Sequence, residues 1–371
     1  MSSPQTWYSI NNSHVLDTPA IVIYLDRAKK NIQTLVNSID DVNRLRPHIK
    51  THKSPEITRL MLESGIKKFK CATIAEAEML AMAEAPDVLL AYQPVGPKAD
   101  RLANLIHKYP LTKFSCLIDN GQTASNISEV FLNKGLTVKV FIDLNVGMNR
   151  TGIVPENAIS LLKECSHLKG INVVGLHAYD GHIRDVDFNV RTKRCDEAFS
   201  KVENLQRHVQ AEQNIKLVIV AGGSPTYSIH SKRKEVECSP GTFVYWDKGY
   251  EQILKEQNYL PAALIVTRVI SKPADHIICT DLGHKAIASE NALPERVSFL
   301  NAANLKPIGH SEEHMVFAAE DGSEFQVGDV LYGIPYHVCP TIALHDQPAI
   351  VENHEIVKYW ETVARNRRIT V

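Results

Sequence analysis

No stretch of the 371 residues approaches the roughly 18 uninterrupted apolar residues of a membrane-spanning helix. The N-terminal MSSPQTWYSINNSH also lacks a basic segment followed by an apolar one, so neither a membrane span nor a secretory leader is expected, and the compartment is read as the cytoplasm. An excess of one charge is missing too: 41 Lys plus Arg against 42 Asp plus Glu leave a formal charge of -1, which argues against holding nucleic acid or a membrane surface through bulk charge. The seven cysteines (Cys71, Cys116, Cys165, Cys195, Cys238, Cys279 and Cys339) are odd in number and contain no Cys-x-x-Cys pair, so no disulfide framework is expected. There is no internal repeat, no low-complexity tract, and no G-x-G-x-x-G after the first apolar run to support a dinucleotide fold. What remains, with 44% hydrophobic and 22% charged residues, is a globular chain long enough for two domains, with a small molecule as its default partner.

From residue 20 to about 245, short apolar runs alternate with amphipathic stretches, the pattern of buried parallel strands and their crossover helices. The predicted strands are 20–25 (AIVIYL), 44–50 (RLRPHIK), 69–73, 88–92, 114–119, 138–145, 171–179 and 216–223. Helices fall between them, such as DRAKKNIQTLVNSI, with Asp26 as its N-cap, and the long polar stretch from Val186 to Asn214. Eight alternations predict an α/β fold, a (β/α)8 TIM barrel over residues 15–250, with an open parallel sheet as the alternative. From residue 251 to 371 the runs AALIVTRVISK, HIICTDLG, KPIGHSEEHMVFAAE, DVLYGIPYHVC and AIVENHEIVKYW read as a C-terminal β-rich domain, on which residues 1–14 are expected to pack.

Lys50 ends the second predicted strand, and strand C-termini are where barrels build their sites. A desolvated amine there can form a Schiff base; the alternative is a solvated basic loop, since Arg46, His52 and Lys53 are neighbours. VAGGSPTY, with Gly222, Gly223, Ser224 and Thr226, and SPGT, with Gly241 and Thr242, offer N–H groups and hydroxyls able to hold a phosphate, though Gly-Ser turns are common. Arg150 follows a strand end between Gly147 and Gly152, which would aim it inward or leave it on the surface. His177 and Tyr179, two apart, face the same side of their strand, toward the barrel mouth. His182, after an Asp-Gly turn, is a candidate general base or a solvent-exposed histidine. His337 and Cys339, two apart in a strand-like segment, put imidazole and thiol on one face, which suits Zn²⁺ or is a buried cysteine beside a packed histidine. Asp281, Glu313, His310 and His314 are candidates to complete or orient such a site.

RPHIKTHK near the N-terminus and IPYHVCPT near the C-terminus resemble the D-threonine aldolase and D-serine dehydratase family. LDTPAIVIYLDRAKKNI, CATIAEAEML, VGMNRTG, AYDGH, GGSPT, SPGTFVYWD and EEH follow in the family's order, so the resemblance covers nearly the whole chain. It implies the alanine-racemase-like fold (fold type III of pyridoxal-phosphate enzymes), a homodimer, and a D-amino acid as substrate. Lys50 then matches the lysine that carries pyridoxal 5'-phosphate, Arg150 the arginine at its phenolic oxygen, and His177 a position facing the ring nitrogen. Tyr179 belongs to the same wall, and Gly222, Gly223, Ser224, Thr226, Gly241 and Thr242 match the phosphate cradle. His337 and Cys339 match the metal pair, where a thiolate favours zinc over manganese. The resemblance implies retro-aldol cleavage to glycine and an aldehyde with His182 as base, on the strength of AYDGH. The alternative is a D-serine or 3-hydroxy-D-amino acid dehydratase, suggested by IPYHVC. A racemase and a non-catalytic pyridoxal-phosphate-binding protein are remoter alternatives.

Overall fold

The computed structural model describes residues 6–371. They form two compact units: one of residues 35–241, 253–257 and 366–371, the other of the residues up to 34 with 242–252 and 258–365. The first strand, β1 (Ala20–Tyr24), belongs to the second unit.

The first unit is a parallel sheet of seven strands: β2 (Lys68–Cys71), β3 (Asp87–Leu90), β4 (Lys113–Ile118), β5 (Val138–Leu144), β6 (Ile171–Ala178), β7 (Val218–Ala221) and β8 (Val236–Cys238). Residues 45–48 supply the eighth stave, because Leu45 bridges Cys238 of β8 and His48 bridges Lys70 of β2, both in parallel. The strands are apolar almost throughout because both faces are covered, helices outside and packed side chains within. Leu89, Leu117, Phe141 and Val220 fill the interior. Gly175 makes room for that filling, since a Cβ there would lie 2.4 Å from the Phe141 ring.

The β-to-α turns are pinned by helix caps. Ser54 accepts the Ile57 N–H at 3.3 Å ahead of helix Pro55–Glu63, Thr73 that of Glu76 at 3.1 Å ahead of Ile74–Met82, and Asn120 that of Thr123 at 2.8 Å ahead of Gly121–Asn133. Each cap lies at the C-terminal end of the staves, so the loops there are held firmly. The long polar stretch is helix Phe188–Gln213, capped by Asp187.

The staves are displaced by one relative to the sequence reading. AIVIYL, expected as the first barrel strand, is β1, antiparallel to a strand of the C-terminal half and parallel to another. The stave missed is β8, only three residues long, whose central Glu237 turns to Arg46 (2.7 Å) and Lys68 instead of a hydrophobic core. Period alone does not distinguish these cases, because a five-residue apolar run suits any strand flanked on both sides. Asp26 is also not a cap; it lies inside helix Leu25–Asn37, in its first turn.

The second unit adds β9 (Ala263–Ala274), β10 (Ile277–Thr280), β11 (Val297–Phe299), β12 (Lys306–His310), β13 (Met315–Ala318), β14 (Val330–Pro335), β15 (Ala349–Glu352) and β16 (Glu355–Tyr359). With β1 they make a nine-stranded sheet ordered β12-β13-β10-β9-β1-β15-β16, where β14 also pairs with β9 and β11 with β14. Its core includes Leu16, Val22, Tyr24, Leu264, Val266, Ile334 and Val351. Trp7, Tyr8 and Ile10 pack there as well; for residues 1–5 the expected packing lies outside the described residues.

Candidate active site

The C-terminal ends of the staves surround a cavity of about 670 Å³, lined by Lys50, Lys70, Arg150, His177 and Tyr179 together with His48, Gln93 and Asp119. Lys50 arrives through a short turn, Ile49–Thr51, whose outer residues are buried. The His48 Nδ1 accepts the Lys50 N–H at 3.3 Å, which fixes where the lysine leaves the barrel wall. His48 is held neutral by burial first and then by the nearby cations Lys50 and Lys70.

Beneath the opening runs a chain of buried polar groups. Lys70 Nζ lies 3.3 Å from His177 Nε2, and His177 Nδ1 donates to Asp143 Oδ1 at 2.7 Å. Asp143 also accepts from Thr151 Oγ1 (2.8 Å) and Gln93 Nε2 (3.0 Å), and Gln93 reaches Asp119 at 2.9 Å. Burial alone would raise the Asp143 carboxyl, but the donors His177, Thr151 and Gln93 hold it below the usual range. His177 is pushed down by burial and by Lys70, against the pull of Asp143. Burial, then the charge of Lys50, lowers Lys70 to about 7. Two basic side chains lie near the Tyr179 ring, Arg150 at 5.0 Å and Lys70 at 5.4 Å from its centre. Arg150 rides on a tight loop that requires glycine: Gly152 has φ +99°, and a Cβ there would be 2.6 Å from the Asn145 nitrogen.

The two glycine turns follow β7 and β8, the positions where barrels hold phosphates. They are tied together, with the Gly241 N–H donating to Ser224 Oγ at 3.3 Å. They also abut the cavity wall, since a Cβ on Gly223 would lie 2.8 Å from the Tyr179 ring and one on Gly241 2.8 Å from the His48 oxygen. The Thr226 hydroxyl, expected in the cradle, instead donates to Asp180 at 2.7 Å and is fully buried. Asp180 also meets His230 Nε2 at 2.8 Å, with Cys195 Sγ 3.2 Å from the same nitrogen. By distance alone these three buried side chains could hold a metal ion, and among the described residues they form the one such group of three. Thr242 is counted with the second unit, where its hydroxyl is 3.8 Å from Cys339 Sγ.

His182 does not line the cavity. Its ring lies against the Arg150 loop, Nε2 3.0 Å from where a Gly147 Cβ would stand, and its buried Nδ1 has no hydrogen-bond partner among the described residues. Burial lowers its pKa against the attraction of Asp180, so the ring is neutral at pH 7.

His337 and Cys339 do not sit on a strand as expected. β14 ends at Pro335, His337 is the N-cap of helix Val338–Leu344, and Cys339 is in its first turn. The Thr341 hydroxyl, donating to the His337 carbonyl at 2.8 Å, closes that turn. His337 Nδ1 bonds the Glu290 carboxylate. Burial lowers the imidazole, but Cys339, Glu290 and Asp247 together lift it to about 9. The other residues considered for this site are engaged elsewhere: Asp281 by Thr18 (2.5 Å), Glu313 by Lys285 (2.8 Å), and His310 by Arg296 (2.6 Å) and the Leu282 carbonyl (3.1 Å), while His314 is exposed.

Sequence reasoning missed Lys70, Asp143, Gln93, Asp119 and Glu290. For the first two a signal was present, since a lysine or aspartate inside an otherwise buried apolar strand has to find a partner.

Residues 23–248 match the alanine racemase N-terminal domain, and residues 262–351 a serine dehydratase domain. The chain is 28% identical to a D-threonine aldolase of an Arthrobacter species, over 94% of this chain and 93% of that one. It is 27% identical to a 3-hydroxy-D-aspartate aldolase of Paracoccus denitrificans, over 95% and 93%. The crystal structure of D-threonine aldolase from Filomicrobium marinum superposes with a TM-score of 0.87 at 24% identity, covering 94% of this chain and 96% of that one, which establishes the common fold.

Proposed function

We propose a function from one premise: the chain belongs to the alanine racemase N-terminal domain family, joined here to a serine dehydratase domain. It is a lyase of D-3-hydroxy amino acids, dependent on pyridoxal phosphate and a divalent metal, that yields glycine and an aldehyde. The observation that carries this reading is Lys50 beside Arg150, His177 and Tyr179 in one cavity, in a chain similar along its length to two aldolases of that substrate class.

The cavity suits the cofactor in size, about 670 Å³ against roughly 300–1,000 Å³ for such sites, and in its groups, an amine and a guanidinium, with the two glycine turns abutting its wall. Bound there, pyridoxal phosphate supplies the electron sink for charge developing at the substrate Cα. Lys50 is the amine that holds it. The N–H groups of Gly222, Gly223 and Ser224 would receive the phosphate; the Gly241 N–H is held by Ser224 Oγ, with Thr242 next in the chain. Thr226, its hydroxyl engaged by Asp180, props the turn from behind. Arg150 brings positive charge to the phenolic oxygen, and His177, neutral and anchored on Asp143, serves the ring nitrogen.

Imidazole and thiol two residues apart suit a borderline-soft ion, zinc ahead of manganese. Glu290, bonded to His337 Nδ1, fixes the tautomer that leaves Nε2 as the ligand. An ion held there would supply Lewis-acid chemistry. A base must take the substrate hydroxyl proton as the Cα–Cβ bond breaks; His182, seated against the Arg150 loop outside the cavity lining, would reach it only if that loop moves. A second reading, dehydration to a keto acid and ammonia with Lys50 as base at Cα, is favoured by the serine dehydratase match over the segment that carries His337 and Cys339.

A homodimer in the cytoplasm completes the proposal. All seven cysteines are reduced, which suits that compartment, and among the described residues no helix is long and apolar enough to cross a membrane.

The test is to incubate the protein with D-threonine, D-serine and D-threo-3-hydroxyaspartate. Glycine plus aldehyde is expected; ammonia without glycine selects the dehydratase, and neither product from any substrate overturns the lyase. Lys50→Ala should abolish turnover together with the borohydride-fixed cofactor adduct.

A further inference from the structure

The end of the barrel opposite the cavity carries charge that the function above does not use. Leu89, Leu117, Phe141 and Val220 fill the middle of the barrel, and side chains alternate between the two faces along a strand. Residues two or four positions earlier therefore point inward as well: Asp87 on β3, Lys113 on β4, Lys139 on β5 and Val218 on β7. Arg46 and Lys68 likewise stand two residues before His48 and Lys70, which line the cavity at the other end. With Glu237 of β8, these side chains surround a separate recess of about 150 Å³ that shares no lining residue with that cavity. Phe141 lines it too and belongs to the apolar layer, so the recess is closed on its inner side.

Four cations there face two carboxylates, which leaves the recess with a net charge of +2. Both carboxylates are engaged: Glu237 by Arg46 (2.7 Å) and Lys68, and Asp87 by Arg46 (2.5 Å). Among the described residues, Lys113 and Lys139 form no ion pair with either. The register sets Lys113 beside Asp87 and Lys139 beside Ser115, two residues farther along β4, so the two ammonium groups approach from neighbouring strands. On a solvated basic face such lysines would fan out into water. Here the strand alternation turns both toward one recess with a low-dielectric wall, where like charges reinforce each other's attraction for an anion. Its 150 Å³ compares with roughly 30 Å³ for a water molecule in the liquid and roughly 300 Å³ for the smallest cofactor sites, so it admits an ion and little more.

We propose that this recess binds a small doubly charged oxyanion, held by the ammonium groups of Lys113 and Lys139 with Lys68 at its side. Two negative charges match the surplus of the recess, and the oxygens accept charge-assisted hydrogen bonds from the lysines. Inorganic phosphate and a four-carbon dicarboxylate share this chemistry. Arg46, its guanidinium divided between Asp87 and Glu237, keeps the two carboxylates away from the anion. The bound ion ties β2, β4 and β5 together at one end of the barrel and stabilises it by mass action. The site stands apart from Lys50 and from the reading of the cavity.

The test titrates inorganic phosphate, and separately succinate, into the full-length protein by isothermal calorimetry. The protein is first loaded with pyridoxal phosphate and freed of the excess, and ionic strength is held constant with sodium chloride. One site per chain with a Kd of about 1 mM or tighter is expected. The double variant Lys113→Gln/Lys139→Gln should weaken it about 10-fold or more, and each single variant by less. Both lysines are exposed and outside the Arg46 pairs, so the variants keep the fold, and turnover at the other end is unchanged. Lys163→Gln, an exposed lysine on helix Pro155–Cys165, should change nothing. The double variant also separates this recess from the glycine turns, whose own affinity for phosphate it leaves intact. Saturable binding of either anion that depends on both lysines supports the site, and the tighter of the two identifies its source. No saturable binding of either below about 20 mM overturns it, as does binding that the double variant leaves unchanged or that Lys163→Gln weakens equally.

Discussion

The molecule contains two imidazole–thiol pairs, His230 with Cys195 in the barrel unit and His337 with Cys339 in the β-rich unit. In the first, Sγ and Nε2 are 3.2 Å apart, a carboxylate adjoins both, and all three side chains are buried. Every ring valence is engaged, since His230 Nδ1 faces the Arg233 guanidinium at 3.0 Å and Nε2 the Asp180 carboxylate. An entering cation would meet that guanidinium and find the thiol protonated, because burial raises the Cys195 pKa. In the second pair His337 is exposed, Cys339 half-buried, and the neighbouring carboxylate touches only one ring nitrogen. Proximity of ligand-type atoms therefore does not make a metal centre. What separates the two is access: His337 is open to solvent, whereas the His230 ring is sealed between Asp180 and Arg233.

Four substitutions test that contrast, from the largest effect down. His337→Ala should strip the bound metal and slow D-threonine cleavage by about 100-fold or more, as loss of a Lewis acid worth several kcal/mol requires. Metal analysis of Cys195→Ser should show full occupancy; if instead Cys195→Ser loses the metal and His337→Ala keeps it, the assignment of the two pairs is reversed. Asp180→Asn should leave metal content alone but lower the unfolding free energy by about 2–3 kcal/mol, because it removes a charged acceptor from Thr226 and His230 inside the barrel wall. Urea denaturation reads this, and a change under 0.5 kcal/mol would mean that the cluster does not buttress the glycine turn. Smallest is Glu290→Gln, expected to weaken metal binding by about 10-fold with the fold unchanged, as measured by competition with a chelator.

The barrel and the end that holds its cavity were legible in the sequence because parallel staves buried on both faces repeat the same apolar signature, and because Lys50, Arg150, His177 and Tyr179 end or follow such runs. The polar chain beneath was not. Lys70 and Asp143 make sense only as neighbours of His177, and those partners are 107 and 34 residues away along the chain. Read locally, each is a charge interrupting a strand. The His337–Cys339 pair was legible as two ligand-type side chains but not in its local geometry. I-P-Y-H-V-C has the two-residue period of a strand, yet the strand stops at Pro335 and the histidine caps a helix. The short stave at Val236–Cys238 was hidden by its glutamate, whose partners Arg46 and Lys68 lie nearly the whole barrel away in sequence.

The position of β1 bears on the order in which the chain can become a protein. Val22 pairs with Leu264 on one side and with Ala349 on the other, and the β15–β16 hairpin reaches the rest of its sheet only through this strand. This strand must therefore wait while more than 200 residues of barrel are made, and it finds its second neighbour only once residue 349 has been added. A fragment cut at residue 250, where the composition changes, would carry every later strand and still leave that hairpin without a partner.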